Sequence, residues 1–541
     1  MPTVTFNRKD VELLTGITDE EVLKDRISMF GTDLEHITNS EICIEFFPNR
    51  PDCLSLYNFS RSLRNFVAEK PVKTKFNVEE GNHKVIVDTS VEQVRPFTAC
   101  AVAHITVTQK LLDELIQMQE KLHISYGRRR KKVAIGIYPM NKIVFPVEYK
   151  ALPPQEIIFR PLGMEDEHSA QRILELHEKG KEFAHILENK KVYPLFIDSK
   201  GTILSMPPII NSEYAGKVVE GTKSLFIECS GTDKMAVNKC LNMIISSVYE
   251  AGAKIETVTV SYPSKDEITP NLSRKRVDFD PKQIQGMLGV HLDTEKINQL
   301  CAKMDLEFCQ DHVLVPAYRT DFLEGRDVLE DICIAYGYEH ITPVNPKLST
   351  VSKLLPVTKM SDRLREFMLG FSFFETTSYH LVANKMLEFW NDDSFVKIID
   401  SLGDYNSVRN TLAVCLMNTL KHNRQYPYPQ KLYEIGTITH KQGLRDRKKI
   451  CFVIAGDGST YSSLKQVVDT LNHEFKFNLS YQEADIKQGI KGRCVQVLLK
   501  NIVIGDIYEV HPRAIKEYGL EVPVTICELD LQSLAEIMYQ D

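Results

Sequence analysis

Between Val313 and Tyr338 the chain has little choice in how it folds. A short apolar strand, Val313–Val315, stops at Pro316, and an amphipathic helix follows. Val328, Leu329, Ile332, Ala335 and Tyr336 recur at helical spacing and form its buried face. Asp321 followed by Glu324 has the spacing of a capping box, with the aspartate accepting first-turn N–H groups. Asp327, Glu330 and Asp331 stand at i, i+3 and i+4, so their carboxylates share the opposite side. Like charges so placed repel by roughly 0.2–0.5 kcal/mol per pair. Solvent would offset that repulsion, and so would a hard divalent cation such as Mg²⁺.

One such element cannot organise 541 residues. At roughly 150 residues per domain, three or four domains are expected. Hydrophobic residues at 43% and charged residues at 26% suit a soluble globular protein. A net charge of −7 argues against a dedicated polyanion binder, so any nucleic-acid contact must be local or made with a partner subunit. The first residues, MPTVTFNRKDVELL, hold no apolar signal region, and no run reaches the ~18 apolar residues of a membrane span. The twelve cysteines are scattered with no CxxC, which points to neither a zinc site nor a disulfide framework. A reduced, cytoplasmic, multidomain protein without a membrane partner is expected.

Along the chain, residues 1–88 read as a small α/β module. It holds strands at Thr3–Phe6 and Glu41–Phe46, a rigid PNRPD turn with Asp52 as the cap, a helix Leu54–Ala68, and a closing polar segment Glu79–Lys84. Residues 89–264 carry the richest pattern: a strand Phe97–Val107, a helix Lys110–His123, then the basic run Arg128–Lys132 leading into the strand Val133–Tyr138. Five adjacent cations in an acidic chain call for a counter-charge, and both a solvated turn and a phosphate-contacting patch supply one. Three apolar segments follow, YPLFIDS from Tyr193, ILSMPPIIN from Ile203 and LFIECSGTD from Leu225. Asp198–Gly201 turns the first pair into a hairpin, and Thr232 or Asp233 caps a helix Met235–Tyr249. Ser205, Asn211, Glu228 and Ser230 sit where they can converge at a sheet end. Residues 265–346 show two short capped helices, Pro281–Leu288 and Thr294–Lys303, beside Arg274-Lys-Arg276, a weak winged-helix pattern. Residues 347–541 alternate helices (Met360–Gly370, and Val408–His422 opened by Ser407) with strands (Glu375–Leu381, Leu432–Gly436, Ile450–Ala455, Cys494–Leu499, Ile502–Glu509).

Several of these motifs occur together in a recognisable order. PNRPD-x-LS, YPLFIDS…LSMPPIIN…LFIECSGTD, YRTDFLEGRDVLEDICIAYGYEHI, and SVRNTL…KLYEIG with GRC…GDIYEVHP span essentially the whole chain. Together they resemble the β subunit of phenylalanyl-tRNA synthetase in its shorter archaeal/eukaryal form. The resemblance implies an α+β multidomain fold: an N-terminal α/β module, an editing domain, a winged-helix-like module, and a degenerate class II synthetase-like antiparallel sheet domain. It implies an α-subunit partner in an (αβ)₂ heterotetramer and phenylalanine tRNA as a second partner, with no DNA. ATP is then used by the whole enzyme at the α subunit. No GxGxxxR phosphate-clamping element occurs in this chain; Arg409 and the strand holding Glu434 are the nearest echoes of one.

Editing has a physical motive, because an apolar pocket rejects an added hydroxyl only ~10²-fold. By alignment to the family's motifs, the site for hydrolysing mischarged Tyr-tRNA falls on Leu195 or Phe196, Ser205, Glu228 and Ser230. The apolar pair is expected to line the ring pocket, Glu228 to accept from the tyrosyl hydroxyl or amino group, and the serines to place substrate and water. The resemblance also favours Mg²⁺ on Asp321, Asp327, Glu330 and Asp331, with water and α-subunit groups completing the shell. A stand-alone tRNA-binding or trans-editing protein with no α partner is the alternative.

Overall fold

A computed structural model describes residues 2–390 and 394–539. The chain divides into two compact units, Met1–Asn345 and Pro346–Asp541. Both mix helices with sheets.

In the first unit, alternating apolar residues pair Thr3–Asn7 and Asp33–Ile37 on either side of Glu41–Glu45, a three-stranded antiparallel sheet. Ser55 rather than Asp52 caps the helix Leu56–Val67, accepting from Asn58 N–H. Asp52 is instead held by the guanidinium of Arg50, an ion pair that outcompetes a helix-end N–H. The Glu79–Lys84 segment does not close this module either. It lies within the strand Val78–Val87, which runs parallel to Lys254–Ser261 inside the next sheet. Pairing between two strands overrode its polar composition.

That next sheet has ten strands and positions the main site. From one end of its path come Ile210–Asn211, Ile203–Met206, Tyr193–Ile197, Val147–Leu152 and Val78–Val87. Lys254–Ser261, Phe97–His104, Ser224–Gly231 and Val133–Pro139 complete it. Asp266–Thr269 adds to Lys254–Ser261 off this path. The two ends of the path meet. The Tyr138 hydroxyl on the last strand donates to Ser205 Oγ near the first at 2.7 Å, and Arg130 Nη1 donates to the Ile209 carbonyl at 2.9 Å. Accumulated strand twist has curled the sheet until its ends face each other, as in a barrel that has not fully paired. The helices Gln109–Ile124 and Lys234–Glu250 cover one face, the second capped by Asp233. One continuous core joins them to the N-terminal module and to Val328, Leu329 and Ile332.

Residues 275–315 form a small antiparallel sheet, Lys275–Asp278, His312–Val315 and Glu307–Phe308, with helices Lys282–Leu288 and Thr294–Lys303. Arg274 and Arg276 are used internally, against Asp305 and against Asp278 and Asp311.

The second unit is built on a seven-stranded sheet, antiparallel except where Phe374–Glu375 runs parallel to Gln430–His440. The expected strand Glu375–Leu381 is broken into Phe374–Glu375 and Leu381–Val382. The helix expected from Val408 begins at Ala413, because Ser407–Val408 pairs as a strand with Leu381–Val382. Arg409 and Glu434 are bonded to each other, buried, at 2.6 Å.

Candidate functional site

The seam of the ten-stranded sheet encloses a cavity of about 390 Å³, lined by residues from both ends of the sheet, from the helix Gln109–Ile124 and from the Pro207–Asn211 turn. Glu228 and Ser205 line it, with Asn211, Gln119, His123 and Arg130. Adjoining it, and sharing Ile116, Gln119, Leu162 and Asn211, is a smaller apolar space of about 140 Å³ walled by Leu112, Leu115 and Ile137. A polar chamber with an apolar annex suits a small organic group carrying one apolar end.

Glu228 sits mid-strand, paired in register with Gly136 on one side and Cys100 on the other. Gly136 is needed there: a Cβ would collide with the Tyr138 hydroxyl and with Glu228 Oε1. Burial pushes the Glu228 carboxyl up to about 8, against the opposing pull of the Tyr138 hydroxyl, the Arg95 charge and Ser230. Tyr138 Oη lies 3.1 Å from Glu228 Oε1 and 2.7 Å from Ser205 Oγ. One hydroxyl proton serves one acceptor. Donation to Ser205 and donation to the carboxyl therefore compete, and the second opposes the burial that raises Glu228.

Three polar atoms on lining residues are buried with no hydrogen-bond partner: Glu228 Oε2, His123 Nδ1 and Arg130 Nε. His123 Nε2 accepts from Ile135 N–H, so the ring proton is on Nδ1. Burial, then the charge of Arg130, holds His123 well below its ordinary value and hence neutral. The cavity therefore offers two unused donors and one carboxyl group. Other such atoms occur elsewhere in the chain, on Ser60, Arg61, Ser261 and Tyr518, but here three converge on one cavity.

The remaining expected residues fall elsewhere. Leu195 and Phe196 do not line this cavity: Leu195 packs with Met206 and Ile209, while Phe196 stacks on Tyr149, ring centroids 4.4 Å apart. Neighbouring strand residues face opposite sides of a sheet, so the pair could never have shared one pocket. Ser230 is fully buried behind the cavity, its Oγ and carbonyl accepting from Arg95. Arg95 is itself buried and bonds no carboxylate; its third nitrogen donates to the Arg130 carbonyl. Tyr138, His123 and Arg130 were not foreseen as site residues. Only the basic run around Arg130 carried a visible signal.

A second cavity, about 400 Å³, is lined by Asp321, Asp327, Glu330 and Asp331 together with Asn49 and Arg50. The four acids are thus neighbours, but not equivalent. Arg319 donates to both oxygens of Asp321, at 2.9 and 2.7 Å, and to both of Asp331, each at 3.0 Å. Burial alone would lower the Arg319 value, yet the two carboxylates carry it well above the ordinary range. Asp321 therefore does not cap the helix Gly325–Tyr336. Glu324 does, in a capping box with Asp327, whose carboxylate accepts from Leu323 and Glu324 N–H at 2.6 and 2.9 Å. Glu330 is exposed. Among the described residues, no group of three or more ligating side chains stands close enough to hold a metal ion as it lies. The charge fits a cation better than the geometry does, since four carboxylates face one guanidinium that is not already paired elsewhere.

Comparison with known proteins is consistent along the whole length. Family models described as "tRNA synthetase B5 domain" and "Phenylalanyl tRNA synthetase beta chain CLM domain" match residues 277–338 and 341–531. The phenylalanine–tRNA ligase β subunit of Pyrococcus furiosus is 33% identical over 99% of this chain and 100% of its own, and that of Archaeoglobus fulgidus 32% identical over 98% of each. An N-terminal fragment of the phenylalanyl-tRNA synthetase β subunit from Pyrococcus horikoshii superposes with a TM-score of 0.59 at 34% identity, covering 62% of this chain and 99% of the fragment. This chain belongs to the phenylalanine–tRNA ligase β-subunit family.

Proposed function

We propose that the chain acts as the β subunit of phenylalanine–tRNA ligase beside an α subunit that holds the synthetic site, and that the seam cavity hydrolyses mischarged Tyr-tRNA. The relatives' names carry the subunit assignment. The observation that carries the hydrolytic reading is the unpaired Glu228 Oε2 on a carboxyl held near neutrality inside a cavity of amino-acid size. A neutral carboxyl can exchange hydrogen bonds with a phenol without burying a charge. A phenylalanyl ester would leave Oε2 unpaired, and sites built around a substrate hydroxyl reject the analogue lacking it by about 10⁴-fold. Such a site removes tyrosine and spares phenylalanine.

In this reading the tyrosyl hydroxyl meets Glu228. The ester carbonyl turns to the free donors of His123 and Arg130, where charge would develop as water attacks. Ser205 orients the water or ester through its bond to Tyr138. Ser230 works indirectly, fixing Arg95 behind Glu228. The step breaks the ester bond and frees tyrosine and tRNA, with positioned water as nucleophile and no covalent intermediate. The test is deacylation of Tyr-tRNA by the full chain assembled with its α subunit. Glu228→Ala should slow it roughly 10²-fold, as removal of one preorganised polar contact does. Unchanged hydrolysis would remove Glu228 from the site. Size-exclusion with and without the α subunit addresses assembly, where a lone chain indifferent to the α subunit contradicts the first half of the reading.

We propose further that Mg²⁺ is held at the acidic cavity by Asp327 and Glu330, with Asp321, Asp331 and water completing the set. It would neutralise the acids that Arg319 leaves uncompensated and so tie the helix Gly325–Tyr336 to its surroundings. Support comes from the shared lining and the excess of acid. Thermal stability with and without Mg²⁺ tests this: the ion should raise the melting temperature of the native chain but not of a Glu330→Gln variant. The paired, buried Arg409 and Glu434 fit a second unit without ATP chemistry.

A further inference from the structure

The loop that delivers Arg130 to the cavity has an unusual backbone. Arg128, Arg129 and Arg130 all have positive φ, 49°, 52° and 63°. Left-handed conformation costs a residue with a Cβ roughly 1–2 kcal/mol, and a run of three is a stored expense. Part of it is offset locally. The N–H groups of Arg128, Arg129 and Arg130 bond the carbonyls of Ser125, Ile124 and His123 and so close the end of the helix Gln109–Ile124. Any sequence with glycine or asparagine here would do that more cheaply. Cationic residues must have another reason.

The helix dipole is not a sufficient one. A helix C-terminus presents about half a negative charge, which a single cation answers. Five stand here. Arg130 is spent on Glu120 and on the Pro208 and Ile209 carbonyls, and Lys132 pairs with Asp233. Arg128, Arg129 and Lys131 remain, all exposed and none ion-paired among the described residues. Three uncompensated cations adjoin a cavity wall in a chain of net charge −7.

We propose that Arg128, Arg129 and Lys131 form a phosphate-binding hook that holds the acceptor strand of an RNA while its terminal ester enters the seam cavity; this rests on the hydrolytic reading above. The strained loop turns one arginine inward to the cavity and the flanking cations outward. The recognised chemistry is the phosphodiester backbone, without base specificity.

The test is binding of a fluorescent acceptor-stem RNA hairpin to the full chain across a salt series. The triple variant Arg128→Asn, Arg129→Asn, Lys131→Gln removes the charges while keeping asparagine, which tolerates left-handed backbone, at the strained positions. Affinity should fall ~10-fold at low salt and the log–log salt slope should shrink by about 2, as three lost phosphate contacts on a single strand require. Arg128→Lys with Arg129→Lys should retain both. Hydrolysis of 3′-tyrosyl-adenosine, which has no phosphate, should be unchanged in the triple variant while Tyr-tRNA hydrolysis loses apparent affinity. Wild-type RNA affinity and salt slope in the triple variant would overturn the proposal, as would loss of α-subunit assembly in place of RNA binding. If the unmodified chain hydrolyses neither ester, the hydrolytic reading fails, and the RNA-binding comparison still decides the hook.

Discussion

Glu228 and Asp52 are equally buried, each 1% exposed, yet they carry opposite protonation preferences. Burial raises both. At Asp52 the Arg50 guanidinium reverses that, with two hydrogen bonds at 3.0 and 2.9 Å and further help from Arg319 and Arg61, so the carboxyl ends below its usual range. At Glu228 the opposing groups are the Tyr138 hydroxyl, the Arg95 charge and Ser230, which do not overcome burial, and the carboxyl ends near 8. At these two carboxyls the partner, not the depth, decides the charge. Asp321 and Asp331 are likewise spent on a guanidinium, each held by Arg319, although at Asp331 burial outweighs that partner and pushes the carboxyl up. One region spends its carboxylates on structure; the other keeps a carboxyl group unspent.

The contrast can be broken most sharply by removing Asp52. Asp52→Ala strands a buried Arg50 and should cost about 3–5 kcal/mol of stability in urea unfolding at pH 7. Because the Asp52 value is depressed, its stabilisation is present above the unfolded value near 3.9 and is lost as pH falls through the lower folded one. The variant should therefore converge with the native chain only in strong acid.

Glu228→Gln should behave in the opposite sense. A carboxyl raised from 4.5 to about 8 in the fold gives a native state that holds a proton the unfolded chain has released. Stability then declines as pH rises between those values, by roughly 3 kcal/mol from pH 5 to pH 8. The glutamine variant should lack that decline, so its stability relative to the native chain improves across the window. A variant that destabilises equally at every pH contradicts this.

Tyr138→Phe is the smallest and most discriminating change. It deletes the hydroxyl joining Ser205 to Glu228 and should cost about 1 kcal/mol. It should also move the decline in stability to higher pH, because that hydroxyl now favours the ionised form. A decline left in place would show that Tyr138 does not touch the titrating group.

Much of this was readable in advance, for local reasons. Ser205 and Glu228 lie on strands bounded by a hairpin turn, a proline pair and a glycine turn, and those signals depend on nearby residues alone. What could not be read was closure of the sheet. Tyr138 reaches Ser205 across 67 positions, and nothing in the strand pattern says that the two ends of a path of nine strands will meet. Leu195 and Phe196 enter through alignment to the family's motifs, though alternation turns the two to opposite faces of the sheet. Asp321 was misread as a cap because its spacing is right, and Arg319, two residues earlier, binds it more strongly than backbone N–H groups can.

The claim that Glu228 is an unspent, neutral carboxyl is tested most directly by infrared difference spectroscopy of the full chain. The protonated-carboxyl band that disappears in Glu228→Gln would be followed from pH 5 to pH 10. Persistence of that band through pH 7, with loss centred near pH 8, is the predicted result. A band already gone by pH 6 would mean that Glu228 titrates as an ordinary carboxylate, and the distinction drawn between the two regions would fail.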